Sequence, residues 1–178
     1  MIMADVLKVL LLVLGSLIVF VSYWLAAAAL FPRTVASARD VYASRPLRAT
    51  VVGALVAAPL VVVGLALLAS APSPVLKMLG VATLAIPVML GLLGSAGLGE
   101  RIGVGLPSAT DAEHPWRRVL RGGAVLSLTF LLPVIGWLGV LPWTLVSGVG
   151  ASVLALRAGR RAGRRAATPA PVAAVTPA

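Results

Sequence analysis

The chain has no cysteine. That excludes disulfides, thiolate metal sites, iron–sulfur clusters and cysteine nucleophiles together. Histidine occurs once, as His114, short of the several convergent ligands a metal centre needs. Charge is scarce too: 11% of the 178 residues are Asp, Glu, Lys or Arg, against about 25% in an ordinary soluble domain. So few charges cannot cover a water-facing globule of this size. Soluble enzyme classes are thereby excluded. The hydrophobic content of 60% and the mean hydropathy of +1.06 place the chain in a membrane.

The charge that is present is lopsided. Fifteen Lys+Arg face five Asp+Glu, a formal net charge of +10. In a soluble protein this points to nucleic acid; in a membrane protein it reads as the positive-inside signal of cytoplasmic loops. Nucleic-acid binding also wants interleaved aromatics or a folded reader, and the sequence has neither, so no such partner is expected. Arg outnumbers Lys thirteen to two, and Ala and Gly are abundant. That is the bias of a GC-rich bacterial genome, and the expected location is the bacterial inner membrane.

Four apolar stretches organise the chain. Residues 9–31 carry no charge and reach about 34 Å as a helix, enough to cross a hydrocarbon core of about 30 Å. The run is too long for a cleavable signal peptide, and Asp5 sits beside Lys8 ahead of it. Residues 49–71, interrupted by Pro59, and 78–98, containing Pro87, form the second and third spans around a turn at Pro72, Ser73 and Pro74. The last stretch, 122–156, is about 52 Å long as one helix, far more than one crossing needs. Pro133, Gly136, Gly139 and Pro142 break it, with Trp137 and Trp143 beside the break. It is either one kinked helix or a hairpin of two short helices, 122–138 and 140–156.

Charge decides between these. Arg33, Arg39, Arg45 and Arg48 lie in the first loop, and Arg101, Arg117, Arg118 and Arg121 in the third. Arg157, Arg160, Arg161, Arg164 and Arg165 follow the last stretch. A single last crossing exports five arginines, whereas a hairpin keeps all thirteen inside and leaves both lysines outside. The expected fold is an all-α polytopic bundle of three full spans plus a carboxy-terminal helical hairpin. Its turn, at Pro133, Gly136, Trp137, Gly139 and Pro142, is expected near the outer interface. The carboxy terminus is expected in the cytoplasm, with 157–178 a basic, then Ala/Pro-rich tail that is disordered.

Inside the spans, small residues recur at helical spacing: Ala49, Gly53 and Ala57; Gly91, Ser95 and Gly99; Ser147, Ala151 and Ala155, with Gly148 and Ser152 beside them. In lipid, such residues let helix backbones approach closely, either within one bundle or against a partner or second copy. No Asp, Glu, Lys, Arg or His lies inside these spans, which speaks against a coupled pump. The glycines from Gly94 to Gly103 lack the lysine of a phosphate loop and are expected to end the third helix. Asp111, Glu113, His114 and Pro115 read as a helix start, with Pro115 in the first turn. Arg117, Arg118, Arg121 and the run from Arg157 to Arg165 are candidate contacts for anionic lipid, each worth about 1 kcal/mol. No catalytic residue, metal or cofactor is expected.

Three signatures carry a family likeness: Arg45-Pro-Leu-Arg48; Ala85-Ile-Pro-Val-Met89 running on to Leu98-Gly-Glu-Arg-Ile102; and Leu131-Leu-Pro-Val-Ile-Gly-Trp137 followed by Gly148-Val-Gly-Ala151. Over residues 45–156 the chain resembles the hydrophobic carboxy-terminal membrane module of bacterial membrane-bound polymer-forming (bactofilin-like) proteins. This sequence shows none of that family's β-helical domain, so filament formation is not carried over. The resemblance implies a membrane module without known catalysis. The expected function is a scaffold or accessory subunit, partnered by membrane lipids and by another membrane protein or a second copy. The alternative is a small uncoupled transporter or pore built on the hairpin; an enzyme acting on lipid ranks third.

Overall fold

The computed structural model describes residues 2–108, 111, 114–132 and 134–167, apart from the side chains of residues 2, 3, 162 and 165–167. The described residues form helices α1 (Ile2–Leu30), α2 (Pro32–Ser44), α3 (Pro46–Ser70), α4 (Pro74–Val104), α5 (Trp116–Phe130) and α6 (Leu141–Ala167), and no strand. A π-helical segment, Ile135–Val140, leads directly into α6. Four stretches are long and apolar enough to cross a membrane: Ala4–Leu30, Pro46–Ser70, Pro74–Val104 and Ile135–Arg161. The molecule is a helical membrane bundle.

Proline sets three of the helix starts. Pro32, Pro46 and Pro74 open α2, α3 and α4, where the missing N–H has no intrahelical partner to lose. Ser73 caps α4, its Oγ accepting the Leu76 N–H at 3.3 Å. Hydroxyls further along bond to the preceding turn: Ser70 to Ala66 O, Thr83 to Leu79 O, Thr129 to Val125 O.

Close contacts give the helix directions. Gly64 meets Leu84 and Gly80, so α3 and α4 run antiparallel. Gly53 meets Val146 and Gly150 meets Ala49, setting α6 against α3. Gly91 meets Leu145 and Gly94 meets Gly148, so α6 runs alongside α4 in the same direction. Gly103 against Arg118 and Gly122 against Gly99 bring α5 back up α4. Gly123 meets Trp24, and the rings of Phe20 and Phe130 lie 5.5 Å apart, which sets α5 against α1. Helix α4 touches all five others and forms the centre of the bundle. These directions gather all thirteen arginines at one end, with Lys8 and Lys77 toward the other.

Three expectations change. The first loop is largely a helix, α2, whose apolar face (Val35, Ala38, Tyr42) is buried against α4 and α6. The third span continues past 98 to Val104, so the glycines from Gly94 to Gly103 lie inside α4 rather than ending it. A helical interior tolerates them because Gly94, Gly97 and Gly103 sit where a Cβ would collide with a neighbouring helix, and Gly99 receives the Gly122 and Gly123 backbone. The last stretch does reverse direction, but its arms differ: α5 has 15 residues and α6 has 27. Helix α6 runs on to Ala167, so the start of the expected disordered tail is helical, and 168–178 lie outside the described residues. The chain breaks between Phe130 and Ile135, not at Gly136–Gly139. Gly136 lies against the Thr129 and Phe130 carbonyls, so it marks a close approach between the arms. Pro133 lies outside the described residues.

The hairpin is also shallower than expected. From the Gly91–Leu145 contact, the descending arm extends back to Ile135, about 15 Å, while α4 extends back to Pro74, about 25 Å. The hairpin tip therefore stops short of the α3–α4 turn. Trp137 and Leu138 face outward there, 64% and 78% exposed. They lie below the level of the α3–α4 turn.

The glycine contacts yield a stability prediction. A Cβ on Gly148 meets the Gly91 backbone, whereas one on Gly15 meets nothing within 4 Å. Gly148→Leu is expected to cost about 1–3 kcal/mol or more through overpacking, and Gly15→Leu to stay within about 0.5 kcal/mol of the original. Melting in detergent measures both, and equal melting temperatures would remove the seam from the stability argument.

Candidate functional site

Small residues at the centre of the bundle are consumed by its own helices. Gly53, Gly91 and Gly148 all lie on the α3–α6–α4 seam. Gly99 lies against Gly123, and the Ser152 hydroxyl donates to Leu90 O at 2.8 Å. Ser95 accepts the Trp24 indole N–H at 2.9 Å and donates to Leu92 O at 2.7 Å. Gly94, Gly103, Gly122 and Gly150 belong to the same seams. The sequence signal for them was the same spacing of small residues, masked in Gly94 and Gly103 by the reading of that stretch as a helix end. Of the two readings of these faces, packing within the chain is the one the structure supports.

Several polar side chains in the interior find partners, whereas the buried Ser127 hydroxyl finds none among the described residues. Tyr42 Oη and Ser147 Oγ lie 3.1 Å apart, joining α2 to α6, and Thr144 donates to Val140 O at 2.6 Å. Each bond of this kind matters in lipid because no water competes for the buried group.

Charged groups lie at the basic end, and the fold pairs several of them. Arg39 of α2 donates from Nη1 to Glu100 Oε1 at 2.9 Å and from Nη2 to Asp40 Oδ1 at 2.8 Å. The Asp40 hydrogen bond, ahead of the nearby Glu100 charge, holds this guanidinium even more firmly protonated than usual. Asp111 joins the loop after α4 to the start of α5. Arg121 Nη2 reaches its Oδ1 at 2.6 Å and its Oδ2 at 2.8 Å, and Arg118 Nε lies 3.5 Å from Oδ2. The Ser108 N–H also donates to Oδ2, at 3.3 Å.

This arrangement divides the arginines singled out for lipid contact. Arg118 and Arg121 are committed to Asp111. Arg117 lies over the Trp116 ring at 5.6 Å, a cation–π distance. His114 stacks on the other side of that sequence step, 6.3 Å from Trp116. Pro115 is the cap of α5 rather than a residue of its first turn. Arg157, Arg160, Arg161 and Arg164 extend along exposed turns of α6, and the Arg165 side chain lies outside the described residues. Neither acid–arginine cluster was read from the sequence, because partners up to 61 positions apart leave no local pattern.

Two apolar clefts flank the bundle. One, about 270 Å³, lies between α1, α2, α4 and α5, with Leu25, Val35, Trp116 and Val119 in its walls and Glu100 at its edge. The other, about 230 Å³, lies between α3, α4 and α6 and is bordered by Ala57, Pro87, Pro142 and Leu145. Among the described residues, no three of His, Cys, Asp or Glu converge to hold a metal. Compared with known protein families, curated proteins and solved structures, the chain matches none.

Asp111 supplies a pH prediction. The Arg121 hydrogen bond holds its carboxyl below the usual carboxylate range. The stability it contributes is fully present above the unfolded value near pH 4 and is lost as pH falls through the depressed folded value. Asp111→Asn is expected to lower the melting temperature at neutral pH and to flatten its fall below about pH 4. Parallel acid-limb profiles for the two proteins would show that the pairing contributes nothing.

Proposed function

We propose that this chain is a non-catalytic integral membrane protein, a scaffold or accessory subunit of a larger assembly in a bacterial inner membrane. One observation carries the reading. The core is closed by its own glycine seams, yet the first half of α1, from Val6 to Leu14, is exposed on nearly every face. A rigid bundle bearing an unaccompanied apolar helix suits a subunit that lends a helix to a neighbour. The likeness to the membrane module of bactofilin-like proteins points the same way. Arginines gathered at one end support an orientation with that end, and α6's end with it, in the cytoplasm. Anionic lipid and a second membrane protein, or a second copy, are the partners this reading requires.

The second reading, a small uncoupled transporter or pore, has its own support. The descending arm of the hairpin borders a cleft with Pro142, opposite Pro87, and irregular backbone within a membrane is tolerated where protein or water surrounds it.

A photo-crosslinker at Leu11 separates these readings. In native membranes the scaffold reading expects one defined protein adduct, and the purified chain in liposomes should show no solute flux above empty vesicles. Saturable flux that disappears in Pro142→Ala moves the assignment to a transporter.

Orientation is tested separately, aided by the cysteine-free background. Ser73→Cys is expected to react in intact cells with a thiol reagent that cannot cross the membrane. Gly159→Cys is expected to react only after permeabilisation, and the opposite pattern reverses the orientation.

A further inference from the structure

A cleft of about 320 Å³ opens between α2 and α6 at the basic end. Arg33, Thr34 and Ser37 line it from α2, and Arg160 lines it from α6, beside Ala155 and Leu156. No carboxylate is among its lining residues. Elsewhere at this end three arginines meet acids: Asp40 and Glu100 at Arg39, and Asp111 at Arg118 and Arg121. Arg33 and Arg160 have no ion-pair partner among the described residues.

Two like charges held on one cleft repel each other, and a shared anion relieves that repulsion. Both walls are fixed. Val35 and Ala38, two and five residues after Arg33, anchor α2 in the core, and Ala155 is buried in the same cluster as Ala38. Guanidinium groups and hydroxyls together match the oxygens of phosphate, which accepts several charge-assisted hydrogen bonds at once.

Depth narrows the source of that phosphate. Leu156 is the last residue of the apolar stretch and Arg157 the first of the basic run, so the cleft straddles the boundary where phospholipid headgroups lie. We propose that this cleft binds a phosphate anion, presented by the headgroup of an anionic phospholipid or free in solution. Arg33 and Arg160 pair with its oxygens, and Thr34 and Ser37 donate to them. The site gives the anionic-lipid partner of the proposed function a defined place, and it rests on that reading only for its membrane setting. It also differs from a diffuse polybasic contact, because Arg33 lies far from the terminal arginine run in sequence and Arg157 and Arg161 do not line it.

The test uses the full chain, delipidated in detergent and placed in nanodiscs of phosphatidylcholine with or without phosphatidylglycerol. Retained lipid is counted by native mass spectrometry. R33Q/R160Q is expected to weaken phosphatidylglycerol retention by at least about tenfold, and R157Q/R161Q, with the same charge loss, by less than about threefold. Gly159→Leu adds bulk beside the cleft where a Cβ meets nothing within 4 Å. It is expected to weaken retention with no change of charge, and it decides the matter if R33Q/R160Q fails to fold. Inorganic phosphate titrated into lipid-free protein separates the sources. Stabilisation by phosphate, lost in R33Q/R160Q, identifies the free anion as a ligand; stabilisation by phosphatidylglycerol alone identifies the headgroup. Equal losses in the two double variants, or no difference between wild type and R33Q/R160Q with either probe, overturns the proposal.

Discussion

Backbone-to-backbone approach along α4 is the constraint on which the rest of the structure depends. Lipid gives packed helices no hydrophobic reason to prefer one another over acyl chains, so association rests on close van der Waals contact and buried hydrogen bonds. Helix α4 meets α6 through Gly91 and Gly94, α2 through Gly97, and α5 through Gly99 and Gly103. Five glycines on one helix thus receive three neighbours. Trp24 completes the arrangement from α1, seating its indole on Ser95 between two of those glycines. Bulk on α1 fills the space that small residues on α4 and α5 leave open, as the Gly123–Trp24 contact shows.

Polar chemistry follows from the same geometry. Helix α2 leans into the bundle because Ala38 lies against Gly97, and that placement brings Arg39 to Glu100. The Glu100 side chain is only 16% exposed and is tolerable near the end of a spanning helix because its charge is met by a bonded guanidinium. Asp111 plays the corresponding part for the loop that follows α4. The basic end is therefore a mixture: some arginines hold the fold together, and others face outward with charge to spare.

Much of the architecture was legible in the sequence because the bilayer asks for long apolar runs and sequence shows them directly. The spans around 9–31 and 49–71 agree with α1 and α3 to within a few residues at their inner ends. The reversal in the last stretch was legible too, through charge: five arginines at its end needed the company of the others. Less legible was anything that depends on packing partners. Helix α2 hides because its apolar residues are spaced between arginines, and only α4 and α6 make them a buried face. Glycine was misread twice for one reason. At Gly94–Gly103 and at Gly136–Gly139 it looked like punctuation, whereas in this bundle most of these residues mark places where another backbone arrives. The acid–arginine clusters left no trace, since the partners meet only after the helices have packed.

The shallow hairpin has a consequence for the way the molecule fits its bilayer. Because α5 ends beside the middle of α4, α1 packs only from its midpoint on, at Val21, Trp24 and Ala27. The stem before them is joined to the bundle by its own helix alone. A mismatch between hydrophobic length and bilayer thickness is relieved by tilting or bending, at a fraction of a kcal/mol per Å. In this chain the α1 stem can tilt without opening a glycine seam, while α3 and α4, locked to each other and to α6, must move as a block. A change in membrane thickness is therefore taken up more readily by the stem than by the block.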